Sequence, residues 1–402
     1  MKLLLLAPQP FYQNRGTPIA VRLLAEVLGQ SGIEVHLLVY QEGIDVPMTN
    51  VTIHRIPRLP GVSRIPPGFS WKKIMADLAL WITSIRLQKN YTFDLVHAVE
   101  ESVFIARLNQ ILFHVPFVYD MDSCLSDQLV SKLTLLKPLR RMFEGLENRA
   151  IRKSSGVVAV CCALEEKVRR LDLNKPLVRL EDISLVEECT VPEGEESLRH
   201  ALGISGRLIL YVGNLEKYQG IDLLLRGFSR LAARHQDCVL VIIGGSRTDI
   251  ARYEGMVRQL NLTDRIFFTG PRPVESLGSY LRQADILVSP RITGENTPMK
   301  IYSYLDSGRP VVATRIASHT QVMNDDIAVL VEPTPEALAE GFAELLTNRQ
   351  KGTLLAERAR ERISLEFSRE VFERKLLDFY RTLCERIAIE QGRHYGLPQT
   401  SR

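Results

Sequence analysis

The feature that most constrains this chain is an alternation that occurs twice. Short, near-continuous runs of Val, Ile and Leu recur between stretches of helical period. In the first half the runs fall at 2–7, 34–40, 94–98, 117–119 and 156–160. In the second they fall at 208–212, 239–243, 266–268, 286–288 and 310–313. A strand that is apolar at every position is buried on both faces, and strands joined through helices pair in parallel. The pattern predicts an α/β fold of two Rossmann-like domains with parallel sheets facing across a cleft. In such folds ligands gather outside the carboxyl ends of the strands. The expected division is an N-terminal domain over 1–182, an acidic linker over 183–205 and a C-terminal domain over 206–370. A helix and tail over 371–402 then return to the first domain.

Charge supports that division. Residues 1–180 hold 23 Lys and Arg against 16 Asp and Glu, whereas residues 181–196 (EDISLVEECTVPEGEE) hold seven acids and no base. A basic N-terminal body reads either as a solvated surface or as one drawn to anionic lipid or a phosphorylated acceptor. The six cysteines show no zinc spacing and read as reduced thiols, which points to a cytoplasmic protein. The opening MKLLLLAPQP is too short an apolar run for a signal peptide and reads as a first strand. The basic residues are scattered rather than interleaved with aromatics, which argues against nucleic acid as a partner.

Two loops carry candidate chemistry. In GENTPMKIYSYLDSGRPVVA, residues 294–313, Thr297 reads as an N-cap and Pro298 as the first helical residue. A helix start behind a flexible glycine favours an anion. Lys300 in its first turn reads either as a surface lysine or as a cation held for that anion. In the first half, Arg15-Gly16-Thr17-Pro18 has the same form, and Gly16 permits close backbone approach.

The order of these motifs resembles the retaining family 4 glycosyltransferases of the GT-B fold. It does so along the whole chain, and most specifically at PRITGENTPMKIYSYLDSGRPVVAT, ILYVGNLEKYQGIDLLLRGF and VLVIIGG…IFFTG…ADILVSP. The resemblance implies a hexosyltransferase that needs no metal or other cofactor. It would move a sugar from a nucleotide diphosphate sugar to a hydroxyl of a glycan, lipid or small molecule. Attack would come from the front face, and the leaving phosphate would help to deprotonate the acceptor.

The resemblance also implies roles. Glu295 matches the first glutamate of the family's paired motif and would accept bonds from sugar hydroxyls. Ser303 stands where the family has the second glutamate, which grips the ribose. Backbone N–H groups around Thr297, Pro298, Met299 and Lys300 would face the diphosphate; Gly16, Thr17, Gly244 and Arg247 are further donor contacts, the loop of Gly16 and Thr17 approaching the reacting centre and the acceptor. The glycine loop departs from the family pattern, with Asn214 and Gln219 in place of its Arg and Lys. Lys217, Lys300, Arg247 and Arg291 are the cations available to replace them.

Asp122 stands near the family's histidine and is a catalytic candidate beside Glu295. The run Asp120-Met121-Asp122 is formally D-x-D, but it is not read as a metal site in this setting. Arg15, His97, Glu100 and Asp120 are candidate acceptor contacts, with a core imidazole as the other reading of His97. His319 reads either as a pocket residue or as a helix cap. The helix 71–87 is expected to pack on the sheet through Ile74, Leu78, Trp81 and Ile85. Its alternative, shared with the basic stretch 132–153, is peripheral contact with the inner membrane face. Because of Ser303, Asn214 and Gln219, a binding or scaffold subunit on the same fold is the second functional reading.

Overall fold

In a computed structural model of the protein, residues 1–13, 16–63, 65, 70–125, 140–186 and 197–391 are described. They form two compact units. One holds residues 1–181 together with the chain from Phe372 onward, and the other holds Asp182–Val371.

The first unit is a seven-stranded parallel sheet. Its strands are β1 (Lys2–Leu6), β2 (Glu34–Val39), β3 (Val51–Arg55), β4 (Leu95–Val99), β5 (Phe117–Met121), β6 (Gly156–Ala159) and β7 (Leu177–Arg179). Their order is β3-β2-β1-β4-β5-β6-β7. Leu3 of β1 pairs with Val35 on one side and Leu95 on the other. Leu3 to Leu6 are fully buried, as a central strand covered on both faces requires. Numbering helices of seven residues or more, this unit has α1 (Gly16–Gln30), α2 (Trp71–Asn90), α3 (Ser102–Phe113), α4 (Arg140–Lys153) and α5 (Cys162–Leu171).

The second unit repeats the plan with six strands. These are β8 (Arg207–Val212), β9 (Cys238–Ile243), β10 (Ile266–Gly270), β11 (Ile286–Ser289), β12 (Val311–Thr314) and β13 (Val329–Val331), in the order β10-β9-β8-β11-β12-β13. Its helices are α6 (Ile221–Ala232), α7 (Arg247–Gln259), α8 (Leu277–Gln283), α9 (Lys300–Asp306), α10 (Pro335–Thr347) and α11 (Arg349–Glu366). The last helix, α12 (Arg369–Gln391), packs in the first unit. There Lys375 pairs with Glu181 at 2.7 Å, and buried Tyr380 reaches β4.

Strand order reverses between β1 and β4 in one sheet and between β8 and β11 in the other. A reversal leaves a gap between diverging helices at the carboxyl ends, where ligands bind in open α/β sheets. In the second unit that gap is flanked by the loop after β8 (213–220) and the loop after β11 (290–299). In the first unit it is flanked by the chain after β1 and by Glu100-Glu101 after β4.

Three sequence expectations are corrected. Helix α9 begins at Lys300 with Met299 as its cap residue, not at Pro298 behind a Thr297 cap. Its first bonds run from Ile301 N–H to Pro298 O and from Tyr302 N–H to Met299 O. The start of the 183–205 segment is not a free connector. Ser184 Oγ donates to Asp306 Oδ2 at 2.6 Å, and Leu185 N–H donates to Ser303 Oγ at 3.0 Å.

Third, α2 does not pack through Ile74 and Leu78, which are 50% and 45% exposed. Its inner stripe is Ala76, Leu80, Ser84 and Leu87. Asn109 of α3 fixes that choice: it donates to Ser84 Oγ at 2.8 Å and accepts from Trp81 Nε1 at 3.1 Å. Ala76 and Ser84 let the two helices approach and bond, so Ile74 and Leu78 turn outward, while Trp81 packs against the core as expected.

Candidate functional site

The second unit concentrates positive charge at its switch point. Arg291 follows β11 and is 7% exposed. Its Nε donates to Thr293 O at 2.7 Å and its Nη1 to Asn296 O at 3.0 Å, so the guanidinium staples its own loop. Its charge lies 5.3 Å from the centre of the Tyr218 ring, which belongs to the glycine loop. Gly294 makes this possible: a Cβ there would fall 1.9 Å from Arg291 Nη2, at a φ of +134° that disfavours other residues.

Lys300 opens α9 beside Arg291. Its Nζ sits 4.0 Å from the centre of the Tyr211 ring and donates to Gln219 Oε1 at 3.2 Å. It also lies 3.2 Å from where a Cβ would stand on Gly213. Burial pulls the Lys300 ammonium well below its ordinary pKa, and the Arg291 charge adds to the effect. Burial lowers Arg291 as well, against the influence of Tyr218 and Tyr211. Among the described residues no carboxylate forms an ion pair with either cation. Two neighbouring cations, Arg291 buried and Lys300 half-buried, are costly to hold together without an acid, and an anion would offset that cost.

The surroundings are arranged for such a ligand. Helix α9 uses the N–H groups from Ile301 onward, which leaves those of Met299 and Lys300 outside its bonding pattern. Thr297 Oγ1 is buried with no hydrogen-bond partner. Pro298 is half-buried beside it, and the Glu295 side chain is exposed next to Gly294. Glu295 anchors the loop through its carbonyl, which accepts from Gln321 Nε2. Across the glycine turn, Tyr211 OH donates to Asn214 O at 2.6 Å, while Lys217 and Arg247 are exposed. Gly244 ends the neighbouring strand at a φ of +111°.

Two expected ligand contacts are placed otherwise. Ser303 is 1% exposed and its hydroxyl accepts the Leu185 N–H, so it holds the incoming chain instead of facing a ribose. His319 is fully buried and is neither an open pocket residue nor a cap. Its Nε2 meets Ser289 Oγ at 2.9 Å and its Nδ1 meets Thr314 O at 2.8 Å. Burial pushes its pKa down to about 4, so it is a neutral brace between β11 and β12.

The first unit holds the remaining candidates. His97 on β4 is fully buried, which removes it from direct contact with an acceptor. Its Nδ1 meets Tyr380 OH at 2.7 Å and its Nε2 meets Asp120 Oδ2 at 3.0 Å. The hydroxyl of Tyr380 and the carboxylate oxygen of Asp120 hold the two ring nitrogens from opposite sides. The expected acceptor contact Asp120 is thus tied to the core through one oxygen, and Asp122 follows it, half-buried, at the end of β5. Glu100 occupies a left-handed turn (φ +49°) and its N–H donates to Asp120 O at 2.9 Å. Beside it Glu101 pairs with Lys73, and Tyr40 OH donates to Asp77. Burial, reinforced by Glu101, raises the Asp77 pKa to about 7. Gly16 and Thr17 open α1, with open space where a Gly16 side chain would be; Arg15 lies outside the described residues.

Sequence reasoning missed Tyr211, Tyr218 and Tyr380. Tyr211 sits inside an apolar strand and reads as core. Tyr380 meets His97 across 283 positions of sequence, a distance at which no local pattern gives a signal.

Two Rossmann-type sheets, one with a cationic loop cluster at its switch point that has no ion-paired carboxylate among the described residues, define the class as an α/β protein of two parallel-sheet units. The comparisons give the family. The family model for Glycosyltransferase Family 4 matches residues 15–180, and that for Glycosyl transferases group 1 matches residues 195–362. The chain belongs to the family 4 glycosyltransferases, with the GT-B fold.

A D-inositol 3-phosphate glycosyltransferase of Corynebacterium urealyticum is 30% identical over 47% of this chain and 46% of its own length. The chain thus spans about half the length of that curated relative. Sucrose-phosphate synthase from Thermosynechococcus elongatus superposes with a TM-score of 0.79 at 20% identity, covering 95% of this chain and 98% of that one. Anabaena HepE in complex with UDP-glucose superposes with a TM-score of 0.71 at 16% identity, covering 94% and 98%. Among the described residues no helix is long and apolar enough to cross a membrane.

Proposed function

We propose that the chain is a retaining, metal-independent hexosyltransferase. It takes a sugar from a nucleotide diphosphate sugar and places it on a hydroxyl of a glycan, lipid or small molecule. The observation that carries this reading is the pairing of buried Arg291 with half-buried Lys300 at a switch point, with no carboxylate ion-paired to either among the described residues. A diphosphate supplies that counter-charge, and the UDP-glucose complex of HepE, a protein of the same fold, supports the choice of anion.

In this reading Lys300 replaces the two cations missing at Asn214 and Gln219. It holds the diphosphate together with Arg291 and the N–H groups of Met299 and Lys300. Charge on the leaving phosphate grows in the transition state, so cations fixed beforehand favour departure. Glu295 accepts bonds from the sugar hydroxyls. Asp122 steadies the electron-poor anomeric centre, and Asp120, Glu100 and Arg15 serve the acceptor. Gly16 and Thr17 admit the donor closely, and Gly244, Lys217 and Arg247 border the nucleotide. No covalent nucleophile is assigned, so rate enhancement comes from positioning and electrostatics. The described cysteines are free thiols, which suits a cytoplasmic setting, at the inner membrane face where the acceptor is lipid-linked.

The enclosure of Ser303 favours a second reading, a nucleotide- or glycan-binding subunit without turnover. Glu295→Gln separates the two. A transferase loses product formation while nucleotide affinity stays within about tenfold. A binding subunit shows no turnover to lose, and a parallel loss of nucleotide binding would overturn the role given to Glu295.

A further inference from the structure

The outer face of the first unit is unusually apolar. Seventeen large apolar side chains are exposed among the described residues, and ten of them lie on α2, α3 and α4. Helix α3 packs against both α2 and α4, so the three form one layer. On α2, Trp71, Ile74, Leu78 and Ile82 recur at helical spacing and are 61%, 50%, 45% and 43% exposed. On α3, Ile111 and Leu112 are each 57% exposed. Helix α4 adds Met142 and Leu146. A protein whose surface meets only water rarely gathers large side chains in this way.

The charges on these helices are equally one-sided. Their sequences carry ten Lys and Arg against three acids. Each acid is already engaged within the fold: Asp77 with Tyr40, Glu144 with Arg140, and buried Glu147 with Lys167. Arg86, Lys89, Arg141, Arg149 and Arg152 remain exposed. We infer that this layer docks on an anionic lipid surface. The apolar side chains enter the boundary between headgroups and acyl chains, and the cations meet the lipid phosphates. Trp71, at the start of α2 and next to Lys72 and Lys73, has the amphipathic character that suits that boundary. A protein partner would need acids matching these cations and apolar contacts matching all three helices, whereas an anionic bilayer offers both at once. The inference stands on this face alone and does not depend on the transfer reaction.

The test is vesicle co-sedimentation of the full chain without donor or acceptor. Vesicles of phosphatidylglycerol and phosphatidylcholine are compared with phosphatidylcholine alone. The wild type pellets with the anionic vesicles and only weakly with the neutral ones, and added salt reduces the binding. The double variant W71S/I74N partitions at least about tenfold less, while its melting temperature and nucleotide binding are unchanged. R149E/R152E loses the preference for anionic lipid in the same way. Equal binding to both vesicle types, or no effect of either variant, overturns the inference. So does a concentration-dependent dimer that W71S/I74N abolishes, because the face would then belong to a second copy. Because nucleotide binding is read separately, failure here leaves the donor site untouched.

Discussion

The two sheets treat buried charge in opposite ways. In the first unit cations are matched internally: Lys167 with Glu147 at 2.7 Å, Lys375 with Glu181 at 2.7 Å, and Lys73 with Glu101. Burial pulls Lys73 down, but Glu101 and then Glu100 outweigh it, so its pKa is raised overall. In the second unit Lys300 and Arg291 lie together with no ion-paired acid among the described residues, and both are lowered. One arrangement completes its own electrostatics, and the other leaves them to be completed from outside. Under the proposed function, the same topology serves as scaffold in one place and as receptor in the other.

The sharpest way to break this comparison is to remove one charge from each unit. Lys167→Met breaks the ion pair of Glu147, which is 1% exposed, and breaking a buried ion pair from one side costs about 3–5 kcal/mol. Lys167 is itself a quarter exposed, so the lower end is expected, read as a fall in the denaturant midpoint. Lys300→Met removes a half-buried charge that has no ion-paired acid among the described residues, so stability holds or rises. Equal losses in the two variants would erase the distinction.

A second test uses protons. An anion beside Lys300 raises its lowered pKa, so at pH values between those of the free and the bound protein nucleoside diphosphate binding takes up a proton, and affinity falls as pH rises across that range. Calorimetry in buffers of different ionisation enthalpy reads the uptake directly. A heat of binding independent of the buffer would count against this picture.

Asp77 sharpens the other side. Its folded pKa of about 7 lies above the ordinary value of 3.8, so between these values the folded chain keeps a proton that the unfolded chain releases. The Asp77 contribution to stability is therefore largest below the lower value and is lost as pH rises toward the upper one. Asp77→Asn should flatten the pH dependence of the melting temperature across that window. An unchanged profile would mean that Asp77 is ionised in the fold. The smallest effect expected is that of Tyr380→Phe, which removes one bond to His97 and should cost about 1 kcal/mol by chemical denaturation.

Much of the fold was legible from sequence because central parallel strands must be apolar at every position. The short edge strands β3, β7 and β13 were not, since an edge needs no continuous apolar run. In the loop after β11 the glycine at 294 was legible, because its backbone demand is local, whereas the helix start expected at Thr297-Pro298 falls two residues later. The fates of Ser303 and His97 were not, because their partners, Leu185 and Tyr380, arrive from distant chain. The α2 face was misjudged for a related reason. Periodicity reveals an apolar stripe, but the choice between two stripes was made by Ser84 and Asn109, which bond across helices.

The most direct test of the account is a calorimetric titration of the wild type and Lys300→Met with UDP, GDP, ADP and TDP and their sugar conjugates, without added metal. The account predicts that one nucleoside diphosphate binds the wild type in the micromolar range and binds Lys300→Met at least about a hundredfold more weakly, with the variant as stable as its parent. Equal affinity for both proteins, or no binding to either, would contradict the claim that this cation pair awaits a diphosphate.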